Sequence, residues 1–106
     1  MTSQQKHRVE RRARVIKAMA HPSRLMMLEA LAGGERCVCE LQKLVNADIS
    51  TVSKHLSLMK AAGLVEGRKE GLWVHYRLRV PCILQFMECV DAVLNEDKAS
   101  ACCARA

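Results

Sequence analysis

Val9, Ala13, Ile16 and Ala20 recur at helical spacing, and the positions between them are largely basic. That pattern predicts an amphipathic helix from about residue 8 to 20 with a charged outer face. His21-Pro22-Ser23 breaks it, and Pro22 suits the first position of a second helix, where its missing N–H costs nothing. Leu25, Leu28 and Leu31 carry that helix to Gly33-Gly34, which stops it. A short third helix is expected over about 38–45 on Val38, Leu41, Leu44 and Val45. Asn46-Ala47-Asp48 then turns tightly, and Asp48 is placed to cap a fourth helix by accepting from the N–H of Ser50 or Thr51. Ile49, Val52, Leu56 and Met59 form the stripe that this helix should bury, and Gly63 ends it.

Beyond Gly63 the period changes from 3.6 to 2. Leu72, Val74, Tyr76 and Leu78 alternate with Trp73, His75, Arg77 and Arg79, as in a half-buried strand. Leu64-Val65-Glu66 can pair with it across Gly67-Arg68-Lys69-Glu70-Gly71, which predicts a two-stranded hairpin with a charged tip. Pro81 ends the strand and opens a last helix with a broad apolar face on Ile83, Phe86, Met87, Val90, Val93 and Leu94. The expected fold is mainly α with a small β-hairpin: a winged helix-turn-helix. Residues 1–96 form the DNA-binding and dimerisation domain, and 97–106 a flexible tail that carries Cys102 and Cys103.

Length and charge narrow the function. At 106 residues with half of them hydrophobic, a lone chain covers its apolar surface poorly, so a dimer is expected. No uncharged apolar run approaches the roughly 18 residues of a membrane helix, and the polar, basic start lacks a signal-peptide core. A cytoplasmic protein without a membrane partner is therefore the expectation. The formal charge of +6 suits a polyanion. It is uneven: Lys6, Arg8, Arg11, Arg12, Arg14, Lys17 and Arg24 face only Glu10 early in the chain, whereas Glu88, Asp91, Glu96 and Asp97 outnumber Lys98 and Arg105 at its end.

The fourth helix supplies the reading surface. With Val52, Leu56 and Met59 turned inward, Ser50, Thr51, Ser53, Lys54, His55 and Ser57 remain towards the open side. Small hydroxyls at a helix N-terminus allow deep entry into a major groove and bonds to bases or phosphates. Lys54 and Lys60 add phosphate contacts, and Arg68 and Lys69 at the wing tip reach a neighbouring groove or backbone. Single-stranded partners are disfavoured, because aromatics for stacking are scarce.

Several runs resemble the ArsR/SmtB repressors: Ala20-His21-Pro22-Ser23-Arg24-Leu25, Cys37-Val38-Cys39-Glu40-Leu41, Ser50-Thr51-Val52-Ser53-Lys54-His55-Leu56, Gly63-Leu64-Val65, and Gly71-Leu72-Trp73-Val74-His75-Tyr76-Arg77-Leu78. The resemblance covers roughly residues 15 to 80. It implies a homodimer built by the first and last helices, which leaves double-stranded operator DNA when a toxic metal or metalloid binds. Two reading helices about 34 Å apart would then address a palindromic operator.

Within that family, Cys37-Val38-Cys39 resembles the ligand motif of the arsenite- and antimonite-responsive members. The expected inducer is accordingly As(III) or Sb(III), with no organic cofactor; thiolates are the soft ligands that such centres select. Residues i and i+2 of a regular helix lie about 200° apart, so joint ligation by Cys37 and Cys39 predicts an unwound or distorted first turn in the third helix. The family's three-cysteine version has another Cys where Gln42 stands here. Cys102 or Cys103 is the candidate third thiolate, from the same or the partner chain. Cys82 and Cys89 are about 10 Å apart along one helix, too far to share an ion, and are expected to pack. His7, His21, His55 and His75 are scattered and read as contact residues. The last helix lacks the paired Asp and His of the family's zinc and nickel sensors, which disfavours zinc but leaves cadmium and lead.

Two rivals keep or change the class. A thiol redox switch would use the same fold with Cys37 or Cys102-Cys103 oxidised. A small thiol enzyme is disfavoured, because no Cys has a His placed by sequence to activate it, and the chain is read as a non-enzyme.

Overall fold

The computed structural model describes residues 1–95; the tail cysteines and the domain boundary at 96–97 lie outside the described residues. The order is α1 (Ser3–Met19), α2 (Pro22–Ala32), β1 (Arg36–Cys37), α3 (Val38–Val45), α4 (Ile49–Ala61), β2 (Val65–Glu70), β3 (Trp73–Leu78) and α5 (Ile83–Leu94). These elements form a winged helix-turn-helix, as the pattern predicts.

Helix α1 begins five residues before the predicted start. A capping box holds it: Gln5 N–H donates to Thr2 Oγ1 at 3.2 Å, and Thr2 N–H donates to Gln5 Oε1 at 2.9 Å. Reciprocal caps of this kind satisfy two otherwise orphaned N–H groups, so the helix extends through a stretch with no apolar period. Only Ala18 and Met19 of α1 are buried within the chain, and Val9 and Ile16 stay half exposed.

The core sits where α2, α3 and α4 meet the sheet. Met27, Leu28, Leu41, Val52, Leu56, Met59 and Val65 are fully buried, and among the described residues no polar or charged side chain is buried with them. Three of the four positions predicted for the α4 stripe are there. Ile49 is not: at the first position of α4 it lies outside the packed turns and is 47% exposed. Asn46, in the left-handed region at φ 52°, reverses the chain between α3 and α4.

The wing differs from the predicted two-stranded hairpin in two ways. The sheet has three antiparallel strands in the order β1-β3-β2, with Arg36 opposite Tyr76 and Cys37 opposite His75. A two-residue strand leaves no periodic signature, so the alternation could not show it. The hairpin register also runs from Val65↔Leu78 to Glu70↔Trp73, so Gly67–Glu70 is strand rather than loop. Gly71-Leu72 is the actual tip. Gly71 at φ +62° supplies the positive φ that such a two-residue turn needs, and Leu72, expected inside, projects into solvent.

Helix α5 packs Ile83 and Met87 against the core and buries Ala92, but Phe86, Val90, Val93 and Leu94 are exposed. Phe86, Met87 and Val90 frame an apolar groove between α1, α2 and α5 with Ile16, Met19, Ala20 and Leu25. The molecule measures 46 × 38 × 20 Å, with a Cα radius of gyration of 15.7 Å, against about 13 Å for a compact chain of this length. The excess comes with helices that present apolar faces outward. Among the described residues, no helix is long and apolar enough to cross a membrane.

Candidate nucleic-acid interface and thiol pair

Helix α4 presents Ser50, Ser53, Lys54, Ser57 and Lys60 to solvent, while Thr51 is half-buried. Asp48 is the N-cap residue, but it does not cap through a backbone N–H as expected. Its carboxylate instead accepts from the Ser50 hydroxyl and, at 2.6 Å, from the Thr51 hydroxyl. The hydroxyls outcompete the backbone because they flank the carboxylate from the next turn. Those two bonds pull the Asp48 pKa down to about 2. They also commit the hydroxyl protons, so Ser50 and Thr51 offer lone pairs to a ligand rather than O–H donors.

His55, predicted among the outward residues, is half-buried and turned towards the start of α2. Its Nδ1 accepts from Arg24 Nε–H at 3.0 Å, and its ring lies 4.5 Å from that of His21. Arg24 also donates to the Ala18 carbonyl at 3.3 Å, while His21 Nδ1 accepts from Ser23 N–H at 3.1 Å and so caps α2. Burial, with the charges of His21 and Arg24, lowers the His55 pKa. Sequence spacing could not show this cluster, since Arg24 and His55 are 31 residues apart.

Arg68 and Lys69 lie on β2 near the wing tip, both exposed. Arg68 is held by two carboxylates, Glu35 at 2.5 Å and Glu70 at 2.8 Å. The bond from Arg68 is the main reason the Glu35 pKa is lowered. Glu66 pairs with Arg77 at 2.7 Å and lies 3.9 Å from Arg79. His75 lies 3.9 Å from Glu35 and 3.7 Å from Glu70. The wing face is thus a lattice of alternating charge, and Glu35 ties it to the segment that leads into β1.

Cys37 is buried as the last residue of β1 and the N-cap of α3, with extended backbone at φ −70°, ψ 148°. Cys39 is half-buried in the first turn, and the two sulfurs are 2.9 Å apart. Cys37 stands one residue before the helix, so its side chain turns back to meet Cys39 while the helix stays regular. Glu40 completes the junction by accepting from Cys37 N–H at 3.1 Å. The hydrogen bond with Cys37, followed by burial, raises the Cys39 pKa. Thiolate–metal bonds of about 2.3 Å hold two ligating sulfurs within about 4 Å of each other, and this pair meets that limit. Among the described residues, no group of three His, Cys, Asp or Glu is placed to hold an ion, and Cys102 and Cys103 lie outside them. Cys82 and Cys89, expected to pack, are exposed in the single chain, because the core side of α5 is taken by Ile83, Met87 and Ala92. His7 is exposed on α1.

Residues 21–67 match the family described as bacterial regulatory protein, arsR family. An uncharacterized HTH-type transcriptional regulator of Methanocaldococcus jannaschii is 37% identical over 83 residues, 77% of this chain and 93% of that one. The arsenical resistance operon repressor of Escherichia coli is 40% identical over 65 residues, 60% of this chain and 56% of its own length. A cadmium resistance regulatory protein CadC homolog of Staphylococcus aureus is 35% identical over 77 residues, 72% of this chain and 64% of its own. The chain therefore spans nearly all of the archaeal relative but less than two thirds of the two resistance regulators. Among solved structures, the homodimeric winged helix-turn-helix domain of a possible ArsR-family regulator from Mycobacterium bovis superposes with a TM-score of 0.77 at 32% identity, over 92% of this chain and 90% of that one.

Proposed function

This chain belongs to the ArsR family of bacterial regulatory proteins, DNA-binding transcriptional regulators rather than enzymes, and on that premise we propose that it is a homodimeric repressor released from its operator by As(III) or Sb(III). The observation that carries the reading is the pair of sulfurs 2.9 Å apart at the N-terminus of α3. Arsenous acid would condense with both thiols: two As–S bonds form, two As–O bonds break, and the thiol protons leave with the hydroxides as two waters. A third thiolate from Cys102 or Cys103 would replace the remaining hydroxide. The same residues join the wing through β1 and α4 through Asn46-Ala47-Asp48, so a shift of the α3 start reaches both DNA-reading parts.

In this reading Ser53 and Ser57 face bases and phosphates of double-stranded, palindromic operator DNA, Ser50 and Thr51 accept from base amino groups, and Lys54 and Lys60 face phosphates. Lys69, and Arg68 once freed from Glu35, contact the flanking backbone. The partner copy docks through α1 and α5, as the exposed Ile16, Phe86 and Val90 and the homodimeric structural relative support. The cytoplasm is where such DNA lies.

A second reading keeps the thiols and exchanges the ion for cadmium, supported by the similarity to the staphylococcal regulator. Native mass spectrometry of the reduced protein, titrated separately with arsenite and cadmium, tests both. One arsenic per chain, lost in Cys37→Ser and in Cys39→Ser, is the expected result. Arsenic uptake that survives both substitutions would overturn the assignment, and uptake of cadmium alone would favour the second reading.

A further inference from the structure

We propose that His55 is a positioning residue for the reading helix, which it fixes through Arg24 in its neutral form only, so that operator recognition is lost on acidification. The inference rests on α4 being the reading helix and is independent of which ion the thiols bind.

The bond geometry sets the requirement. Arg24 Nε–H donates to His55 Nδ1 at 3.0 Å, which needs a bare nitrogen there and the ring proton on Nε2. Arg24 has no acceptor to offer in return, so a protonated His55 would set N–H against N–H and cation against cation. The second anchor of Arg24 is the Ala18 carbonyl, 3.3 Å away near the end of α1. One guanidinium thereby joins α1, α2 and α4, and His55 is the α4 side chain that it holds.

A neighbour of like kind completes the device. The His21 ring lies 4.5 Å from the His55 ring at an interplanar angle of 48°, and His21 Nδ1 caps α2 by accepting from Ser23 N–H at 3.1 Å. That cap occupies His21 Nδ1 as an acceptor beside the clamp. Among the described residues, the charges that act on His55 are those of His21 and Arg24, and α1 adds only a carbonyl through Arg24. Among these groups no carboxylate offsets a proton on His55, which the Arg24 guanidinium opposes.

The position on α4 makes the consequence specific. His55 follows Lys54 and stands two residues before Ser57, while the preceding and following core contacts are Val52, Leu56 and Met59. Loss of the clamp leaves this apolar anchorage and frees the helix to pivot on it. Base readout, which depends on the placement of α4, falls, whereas phosphate attraction persists. The signature is a loss of discrimination rather than of all binding.

The test compares wild type, His55→Gln and His55→Ala for binding to operator and to a scrambled duplex from pH 5.5 to 8. In parallel, the tautomer and titration of His55 are read by nitrogen-15 NMR of the free protein. Gln can place its carbonyl oxygen towards Arg24 and does not titrate, so His55→Gln should match wild type at pH 8 and stay level on acidification. His55→Ala should lose about tenfold or more for operator at every pH, the scale of one hydrogen bond to a charged group, with little change on the scrambled duplex. Wild type should move from the first behaviour to the second below about pH 6.5, the ordinary histidine value. An acid loss retained in His55→Gln, or full operator binding by a folded His55→Ala, would overturn the proposal. If wild type binds neither duplex at pH 8, the repressor reading fails. The free protein then decides on the clamp: movement of α4 amide signals as His55 titrates supports it, and their constancy overturns it.

Discussion

A single leucine shows how much this fold depends on a narrow core. Leu56 of α4 is fully buried in the core, and truncating such a residue removes its transfer energy and leaves a void. Leu56→Ala should destabilise the protein by about 2–5 kcal/mol, measured by urea unfolding of the reduced protein. Side chains of this kind were legible in the sequence because helical period alone puts Val52, Leu56 and Met59 on one side. Residues at element ends were not, because burial there depends on what the neighbouring turn does. Ile49 and Leu72 continue an apolar pattern past the point where packing stops, and both are exposed. Asp48 shows the same limit in a polar residue: its type marks the helix start correctly, but the Ser50 and Thr51 hydroxyls win its oxygens. His55 is subtler, since its angle on α4 is compatible with either DNA or α2, and only the distant Arg24 decides. Because its pKa is depressed in the folded state, the unfolded chain takes up the proton first as pH falls. Stability associated with His55 is therefore complete above about pH 6.5 and is lost progressively below it.

At the scale of elements, five helices and the wing were legible from periodicity and breakers. Strand β1 was not, since two residues carry no period and its partner β3 is almost forty residues away. That strand changes the account, because it places Cys37 opposite His75 in the wing and Glu35 against Arg68. The thiol site and the wing are thus adjacent rather than linked only through α4. In the proposed reading, Glu35 then competes with phosphate for Arg68. Glu35→Gln should loosen Arg68 and strengthen operator binding, with the salt slope steeper by about 0.9 for one added phosphate contact. Lys54→Ala should do the reverse, weakening binding and making the slope shallower by about the same amount. Equal slopes for both variants and wild type, measured by fluorescence anisotropy across a salt series, would remove both side chains from the phosphate contacts.

For the whole molecule, the apolar residues that fail to pack explain more than those that do. Val90 and Phe86 on α5 and Ile16 on α1 border one groove and are each over two fifths exposed. The broad α5 face was legible from periodicity and its exposure only from the family resemblance, since periodicity cannot tell a core from an interface. Phe86→Asp with Val90→Asp should turn the dimer into monomers by analytical ultracentrifugation and reduce operator affinity by at least about tenfold, because one half-site then binds alone. Unchanged sedimentation would place the dimer contact elsewhere.

The central claim joins that dimer, the reading helices and the thiol pair in one event: binding at Cys37 and Cys39 ends operator binding. The direct measurement is arsenite titration of the preformed, reduced protein–operator complex, with wild type, Cys37→Ser and Cys39→Ser compared at equal starting saturation. Release of wild type at about one arsenite per chain, with both variants remaining bound, is the predicted result. A wild-type complex that stays intact at several equivalents, or variants released as readily as wild type, would contradict it.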